Sequence, residues 1–337
     1  MLTENEIRPE ALMAEQARLF AEDVAGLMAH RSEFIQVPCP ACESVEYQPT
    51  FEKCGMPFVT CLQCETLYAN PRPRPEHMVG YYRNSKNYEY WSNYIFPASE
   101  AARREKIFQP RVDLVLNICD RFQVPTRILM EVGAGFGIFG EELKKRNRFQ
   151  QMIAVEPTPY LAEDCRKRGL DVVESPIEEV NKANLLKPGE TINVIVNFEV
   201  IEHLFSPRDF LRQCADFLEP GGVLILTCPN GKGFDIVTLG AQSSAVDVEH
   251  VNLFNPASLA LLMRSCGFEV IETQTPGKLD AELVRKQLLS GELNAEAHPF
   301  LTQILVDEWE TKGPAFQQFL IDNHLSSNML LVGRKQG

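Results

Sequence analysis

Ile128-Leu-Met-Glu-Val-Gly-Ala-Gly-Phe-Gly-Ile-Phe-Gly140 is the stretch whose reading decides the fold. Ile128–Val132 is a short apolar run holding one acid and reads as a buried strand. Gly133, Gly135 and Gly137 follow at alternate positions before a helical pattern begins. Glycine there lets the backbone turn sharply and lets a ligand approach without meeting a Cβ. A strand, a glycine-rich turn and a helix N-terminus in succession hold nucleotide-like cofactors. Two cofactor classes use that device. Gly135-Phe-Gly137-Ile-Phe-Gly140 matches the dinucleotide G-x-G-x-x-G pattern, while Glu131-x-Gly133-x-Gly135-x-Gly137 matches an acid-led one.

The 337 residues suffice for one α/β core with smaller attachments, since single domains hold about 100–200 residues. Lysine and arginine total 33 against 46 acids, a net charge of −13, so no overall positive field attracts phosphate backbones. That disfavours a bulk nucleic-acid partner. The N-terminal thirty residues are charged and lack an apolar signal-like run, and no stretch approaches eighteen apolar residues. Neither secretion nor membrane spanning is indicated, and a cytoplasmic location is expected.

Residues 9–31 carry Met13, Ala17, Phe20, Val24 and Leu27 at three- and four-residue steps, one face of an amphipathic helix that needs a core contact or a homodimer contact. Cys39-Pro-Ala-Cys42 is followed after eighteen residues by Cys61-Leu-Gln-Cys64. Two such hooks can place four thiolates at the corners of a tetrahedron, which suits a closed structural zinc site. An iron–sulfur cluster or a redox dithiol is the minor alternative. Cys54, lacking a partner at that spacing, reads as a packing residue, and Cys119, Cys165, Cys214, Cys228 and Cys266 read as small buried hydrophobes. Residues 70–97 begin as a proline-rich linker and become dense in tyrosine and tryptophan, the composition of a lid, a pocket wall or ordinary packing.

Past the glycine turn, residues 139–146 continue as a helix, and Met152-Ile-Ala-Val-Glu156 is a second strand whose terminal acid lies nineteen residues beyond Gly137. A carboxylate there can accept both hydroxyls of a ribose, which either cofactor class requires. Further strands are expected at 171–174, 191–197, 223–227, 268–273 and 329–333, with helices between the first of them. Alternation of this kind predicts a parallel sheet with helices on both faces.

On five ordered motifs the chain resembles the class I S-adenosylmethionine-dependent methyltransferases. They are Glu131-Val-Gly-Ala-Gly-Phe-Gly137, Glu156, Phe198-Glu-Val-Ile-Glu-His-Leu204, Pro220-Gly-Gly222 and Glu249-His-Val-Asn-Leu-Phe254. The resemblance covers roughly residues 105–275 and the last strand, and it implies a seven-stranded, mostly parallel Rossmann-like sheet. It implies that Gly133, Gly135 and Gly137 line the methionine and ribose end of the cofactor. Glu131 is implied to orient the cofactor's amino group, Glu156 to hold its ribose, and Phe198 and Glu199 to lie beside its methionine moiety. Where many relatives hold an adenine-binding aspartate after strand three, this chain has Glu174-Ser-Pro-Ile177, which leaves backbone atoms or Ser175 for adenine.

With the cysteine hooks and the proline–tyrosine linker, the chain is further similar to zinc-containing bacterial methyltransferases of sugar-nucleotide, polysaccharide or natural-product pathways. In the sugar C-methyltransferases among them a Glu-His pair takes part in proton abstraction, which falls here on Glu249 and His250. Their tyrosine two residues before the glutamate is Asp247 here. His203 is the second candidate base, with local capping or packing as its structural use. The asparagine–proline–proline–aromatic signature of nucleobase methylation is absent after strand four, where Asn197-Phe-Glu-Val200 stands, so an oxygen or carbon acceptor is expected.

The expected organisation is an N-terminal helical segment over 1–36, a four-cysteine zinc module over 37–75 and an aromatic-rich linker or lid over 76–104. A methyltransferase core follows over 105–275, completed by 329–337, with a helical insertion over 276–328. The expected function is methyl transfer to a small-molecule acceptor. The rivals are a zinc-module RNA or protein methyltransferase, a non-catalytic module binding cofactor or partner, and a dehydrogenase.

Overall fold

The computed structural model describes residues 3–187 and 189–337; Met1 and Leu2 of the N-terminal segment lie outside them. Among the described residues eleven strands occur in chain order. β1 (Tyr47–Lys53), β2 (Met56–Cys61) and β3 (Leu67–Ala69) come first. β4 (Ile128–Val132), β5 (Gln151–Val155), β6 (Asp171–Val173), β7 (Ile192–Phe198) and β8 (Leu218–Pro229) follow. β9 (Asn252–Leu253), β10 (Phe268–Gln274) and β11 (Asn328–Lys335) complete the set. The chain folds as two compact units, and each unit draws on three separate stretches.

The first unit comprises Met1–Ala101, Pro229–Ser258 and Gln274–Met329. Its four-stranded sheet has the order β1-β2-β3-β9, antiparallel throughout. β1 and β2 are joined by Cys54-Gly55, both with positive φ, the two-residue hairpin turn whose twist matches the strands. Cys54 is exposed at that turn rather than packed. The helix Glu10–Met28 buries Leu19, Val24 and Leu27, whereas Ala17 of the expected face is exposed. Val24 and Leu27 share a core with Met56, Phe58, Leu67, Met78, Tyr81 and the segment Val246–Leu253, so the helix has its packing partner within its own unit. A second core gathers Leu239 with Ala281, Val284, Leu288 and Leu305 of the 276–328 segment, while Phe300 of the same segment is 66% exposed.

The second unit comprises Ala102–Cys228, Leu259–Thr273 and Leu330–Gly337. It carries the seven-stranded sheet β10-β11-β8-β7-β4-β5-β6, and all seven strands are those expected. β6, β5, β4, β7 and β8 run parallel. β4 and β7 are buried along their whole length, as a parallel strand covered by helices must be. Residues 219–222, which include the Pro220-Gly-Gly222 motif, form a bulge inside β8, between its pairings with Ile192 and Val194. The chain leaves β4 outward through β5 and β6, then returns to β7 on the other side of β4. A reversal of this kind opens a crevice at the carboxyl ends of β4 and β7, where such sheets bind ligands. Residues 229–258 group with the cysteine hooks rather than with this sheet, a different division from the linear one above.

Close backbone approach holds the first unit's 230–235 turn. Asn230 N–H donates to Ser327 O at 2.9 Å and Phe234 N–H to Leu325 O at 2.8 Å. A Cβ on Gly233 would overlap the Cα of Ser327. Gly233→Ala should therefore force two backbones apart and cost about 1–3 kcal/mol, read as a lower urea midpoint with unchanged slope. An unchanged midpoint would show that the turn relaxes freely.

Candidate active site

In the second unit the loop after β4 places Gly133, Gly135 and Gly137 at φ 77°, 55° and 71°, a left-handed run that other residues adopt only at a cost. A Cβ on Gly133 would lie 2.5 Å from Val200 Cγ2, but one on Gly135 would meet nothing within 4 Å. Gly133 is glycine for packing and Gly135 borders open space. Gly135 N–H donates to Glu156 Oε2 at 2.8 Å, and Thr158 N–H to Glu156 Oε1 at 2.8 Å. Burial raises the Glu156 carboxyl, and these two backbone donors pull it back. Arg168 clasps the turn from outside through Phe136 O at 2.8 Å, and the Cys165 thiol reaches Gly135 O at 3.2 Å.

Glu131, inside β4, is buried, and burial pushes its carboxyl well above the usual range against the pull of Arg111. Its Oε2 and the Oδ1 of Asn197 are buried acceptors with no hydrogen-bond partner among the described residues. Asn197 Nδ2 donates to Val132 O at 2.9 Å, tying the ends of β7 and β4. Phe198 is part of the core, edge-on to Phe139 at 5.0 Å. Glu199 stands at φ 57°, and its carboxylate accepts from Thr227 Oγ1 at 2.5 Å. Arg111 lies 3.4 Å from Glu199 and 4.8 Å over the Phe198 ring. Nothing in the sequence singled out Arg111, which sits in an ordinary helix, Gln109–Phe122. Ser175, after β6, donates to its neighbour's carbonyl, Pro176 O, at 3.1 Å. His203 ends the single turn Ile201–His203, with Nε2 4.0 Å from Glu202 Oε1.

Glu249 and His250 belong to the first unit. Both oxygens of Glu249 are engaged, Oε1 by Tyr81 OH at 2.7 Å and Oε2 by Tyr88 OH at 2.5 Å. Burial first, and the charge of Asp247 second, push the Glu249 carboxyl up to about 7, while the two tyrosines oppose the shift. Asp247 Oδ1 accepts the backbone N–H of Glu249 and of His250, each at 2.8 Å, so the residue standing for the expected tyrosine caps the turn that presents the pair. His250 Nδ1 donates to Ala245 O at 2.7 Å, which assigns the acceptor lone pair of a neutral ring to Nε2. The tyrosine-rich stretch read as a lid or wall thus supplies two hydroxyls to one buried carboxylate.

The four hook cysteines come together in the first unit, their sulfurs all within 4.8 Å of one another. Cys39 and Cys64 are 3.4 Å apart and Cys42 and Cys61 3.5 Å. Sulfurs about 2.3 Å from a zinc ion stand about 3.8 Å apart, so the set fits a tetrahedral zinc with little adjustment. The two hooks repeat one turn, Cys-x-x-Cys-Glu, with Glu43 and Glu65 at φ 62° and 56°. The hydrogen bond from Cys39 pulls the Cys64 thiol down to about 4, while burial pushes Cys42 up to about 11.

A family model described as a methyltransferase domain matches residues 100–273. The chain is similar to a "probable S-adenosylmethionine-dependent methyltransferase" of Mycolicibacterium smegmatis, 35% identical over 97 residues, which are 29% of this chain and 36% of the relative. It is similar to a protein of the same description from Mycobacterium tuberculosis, 31% identical over 147 residues, 42% of this chain and 48% of the relative. A ubiquinone biosynthesis O-methyltransferase of Xanthomonas euvesicatoria is 26% identical over 163 residues, 45% of this chain and 67% of the relative. The match thus spans only about a third to a half of the first two relatives' length.

Glu249 supplies a pH test. A carboxyl raised in the folded state binds its proton more tightly there than in the unfolded chain, so its contribution is fully present below the unfolded pKa and is lost as pH rises through about 7. Between pH 5 and 8 the wild type should lose roughly 2 kcal/mol of unfolding free energy relative to Glu249→Gln. Parallel stability curves for the two proteins would mean that Glu249 is ionised throughout.

Proposed function

Because this chain belongs to the methyltransferase-domain family, whose model matches residues 100–273, we propose that it moves the methyl group of S-adenosylmethionine to an oxygen or carbon of a small molecule. The acceptor class proposed is a nucleotide-linked sugar or related metabolite of a polysaccharide or secondary-metabolite pathway. The observation that carries the reading is the glycine cradle at the end of β4, with open space at Gly135 and the unpartnered buried Glu131 Oε2 behind it. Open space suits the body of a ligand, and the orphaned oxygen suits a cationic donor, as a methionine amino group is. Glu156 retains acceptor capacity for a ribose diol beyond its two backbone bonds. Arg111, stacked on Phe198, offers a guanidinium for a carboxylate. Ser175 and the backbone near it are left for the adenine.

Bound S-adenosylmethionine supplies a methyl on a sulfonium, an already activated leaving group. The chain's own task is then to align the acceptor, exclude water and take a proton. His250 Nε2 is the proposed base, since Nδ1 is committed to Ala245 O. Glu249, close to half-protonated near neutrality and linked to two phenols, is the proposed partner that stores or returns the proton. His203 is the alternative base. The oxygen acceptor implied by the name of the ubiquinone relative agrees with this reading. The four cysteines are proposed to hold a structural zinc with no open position, outside the chemistry. No helix among the described residues is long and apolar enough to cross a membrane. We propose a cytoplasmic setting, with a homodimer as the partner state open to test.

Isothermal calorimetry of the full chain should detect S-adenosylmethionine binding and no binding of NADH. Gly135→Arg should abolish that heat by filling the cradle, whereas His250→Ala should keep it and lose turnover by about a hundredfold or more. Normal binding by Gly135→Arg would remove the pocket assignment. Elemental analysis should find one zinc per chain, absent from Cys61→Ser; a full zinc complement in that variant would contradict the four-sulfur site.

A further inference from the structure

The segment carrying Glu249 and His250 is built into the cysteine module. β9 begins two residues after His250 and is the fourth strand of that module's sheet, with Leu253 opposite Leu67 and Asn252 opposite Tyr68. Ala69 N–H donates to Val251 O at 3.0 Å, Arg72 Nη1 to Asn252 Oδ1 at 2.8 Å and Lys53 Nζ to Ser243 O at 2.6 Å. The most direct link is Asn255. Its buried amide donates to Cys64 O at 3.0 Å and Glu65 O at 3.1 Å, the two successive carbonyls that close the second hook. Its Oδ1 accepts from Ser258 N–H at 2.9 Å at the start of the helix Pro256–Ser265.

Two successive carbonyls converge on one amide only while the chain turns sharply between them. Here the turn is the step from Cys64 into the left-handed Glu65. A glutamate held left-handed costs about 1–2 kcal/mol, and Cys61 and Cys64, bound to one ion, would lock that turn. We propose that the four-sulfur metal centre sets the shape of the 243–255 segment that presents Glu249 and His250, and that Asn255 is the positioning residue linking them. This rests on the reading that zinc fills the four thiols and that Glu249 and His250 serve the acceptor. The zinc is thereby a determinant of acceptor-side geometry and has no part in holding S-adenosylmethionine.

Asn255→Asp tests the link, because it keeps an oxygen for the Ser258 cap and removes both N–H donors. In the zinc-loaded full chain, hydrogen exchange over residues 243–255 and 67–69 should quicken about tenfold, the effect of losing one to two hydrogen bonds. Exchange over 128–137 and 192–198, the zinc content and the calorimetric S-adenosylmethionine affinity should stay as in the native chain. The NMR titration of the His250 ring should move by about half a pH unit or more, as its neighbours shift. Chelator-stripped native protein should show the same quickening over 243–255. Native exchange and an unmoved His250 titration in Asn255→Asp with zinc retained would overturn the proposal, and so would equal quickening over the helices at 10–28 and 280–290. A native chain that binds no S-adenosylmethionine would sink the functional reading instead, leaving the exchange result to stand or fall by itself.

Discussion

The bond from Gly135 N–H to the Glu156 carboxylate is the constraint on which the cofactor side of this protein depends. β4 and β5 run parallel, so both turns leave the sheet at the same edge, and a buried acid there needs donors. The left-handed turn after β4 aims the Gly135 N–H at it, a conformation that glycine adopts at little cost. The acid and the turn hold each other in place before any ligand arrives. Glu131 and Asn197 stand on neighbouring strands because the chain returns across the sheet from β6 to β7, beside β4.

Much of this was legible in the residues. Buried parallel strands are near-continuous apolar runs, so Ile128–Val132 and Ile192–Phe198 announce themselves. The cysteine hooks were legible for a different reason: their spacing is itself a geometric specification. What could not be read were contacts between positions far apart in the chain. Tyr81 and Tyr88 reach Glu249 across 168 and 161 residues, and Arg111 reaches Glu199 across 88, and no local pattern encodes such meetings. The two-residue β9 is likewise too short to show a period. Ala17 lies on the expected helical face by spacing yet is exposed, and Leu19, two residues on and so on another side of the helix, is buried.

Several of the polar groups that this fold buries are supplied with specific partners. Asp247 answers the backbone of the very pair it precedes, and so replaces an aromatic hydroxyl by a turn cap. Burial raises the Glu249 carboxyl and the two phenols that donate to it oppose the rise. Glu199 holds a left-handed backbone that a glycine would adopt more easily. Its carboxylate answers Thr227 and Arg111, which a glycine could not do.

The division of the sequence into interleaved stretches has a consequence for how the molecule comes into being. β11 lies between β10 and β8 in the large sheet, yet it is made only after the whole 276–328 segment. Until it is synthesised, β8 and β10 lack their shared neighbour, and two sheet edges stand open on the ribosome. Neither unit can be excised as one contiguous gene fragment, and closure of the large sheet is deferred to the final stage of translation of this region.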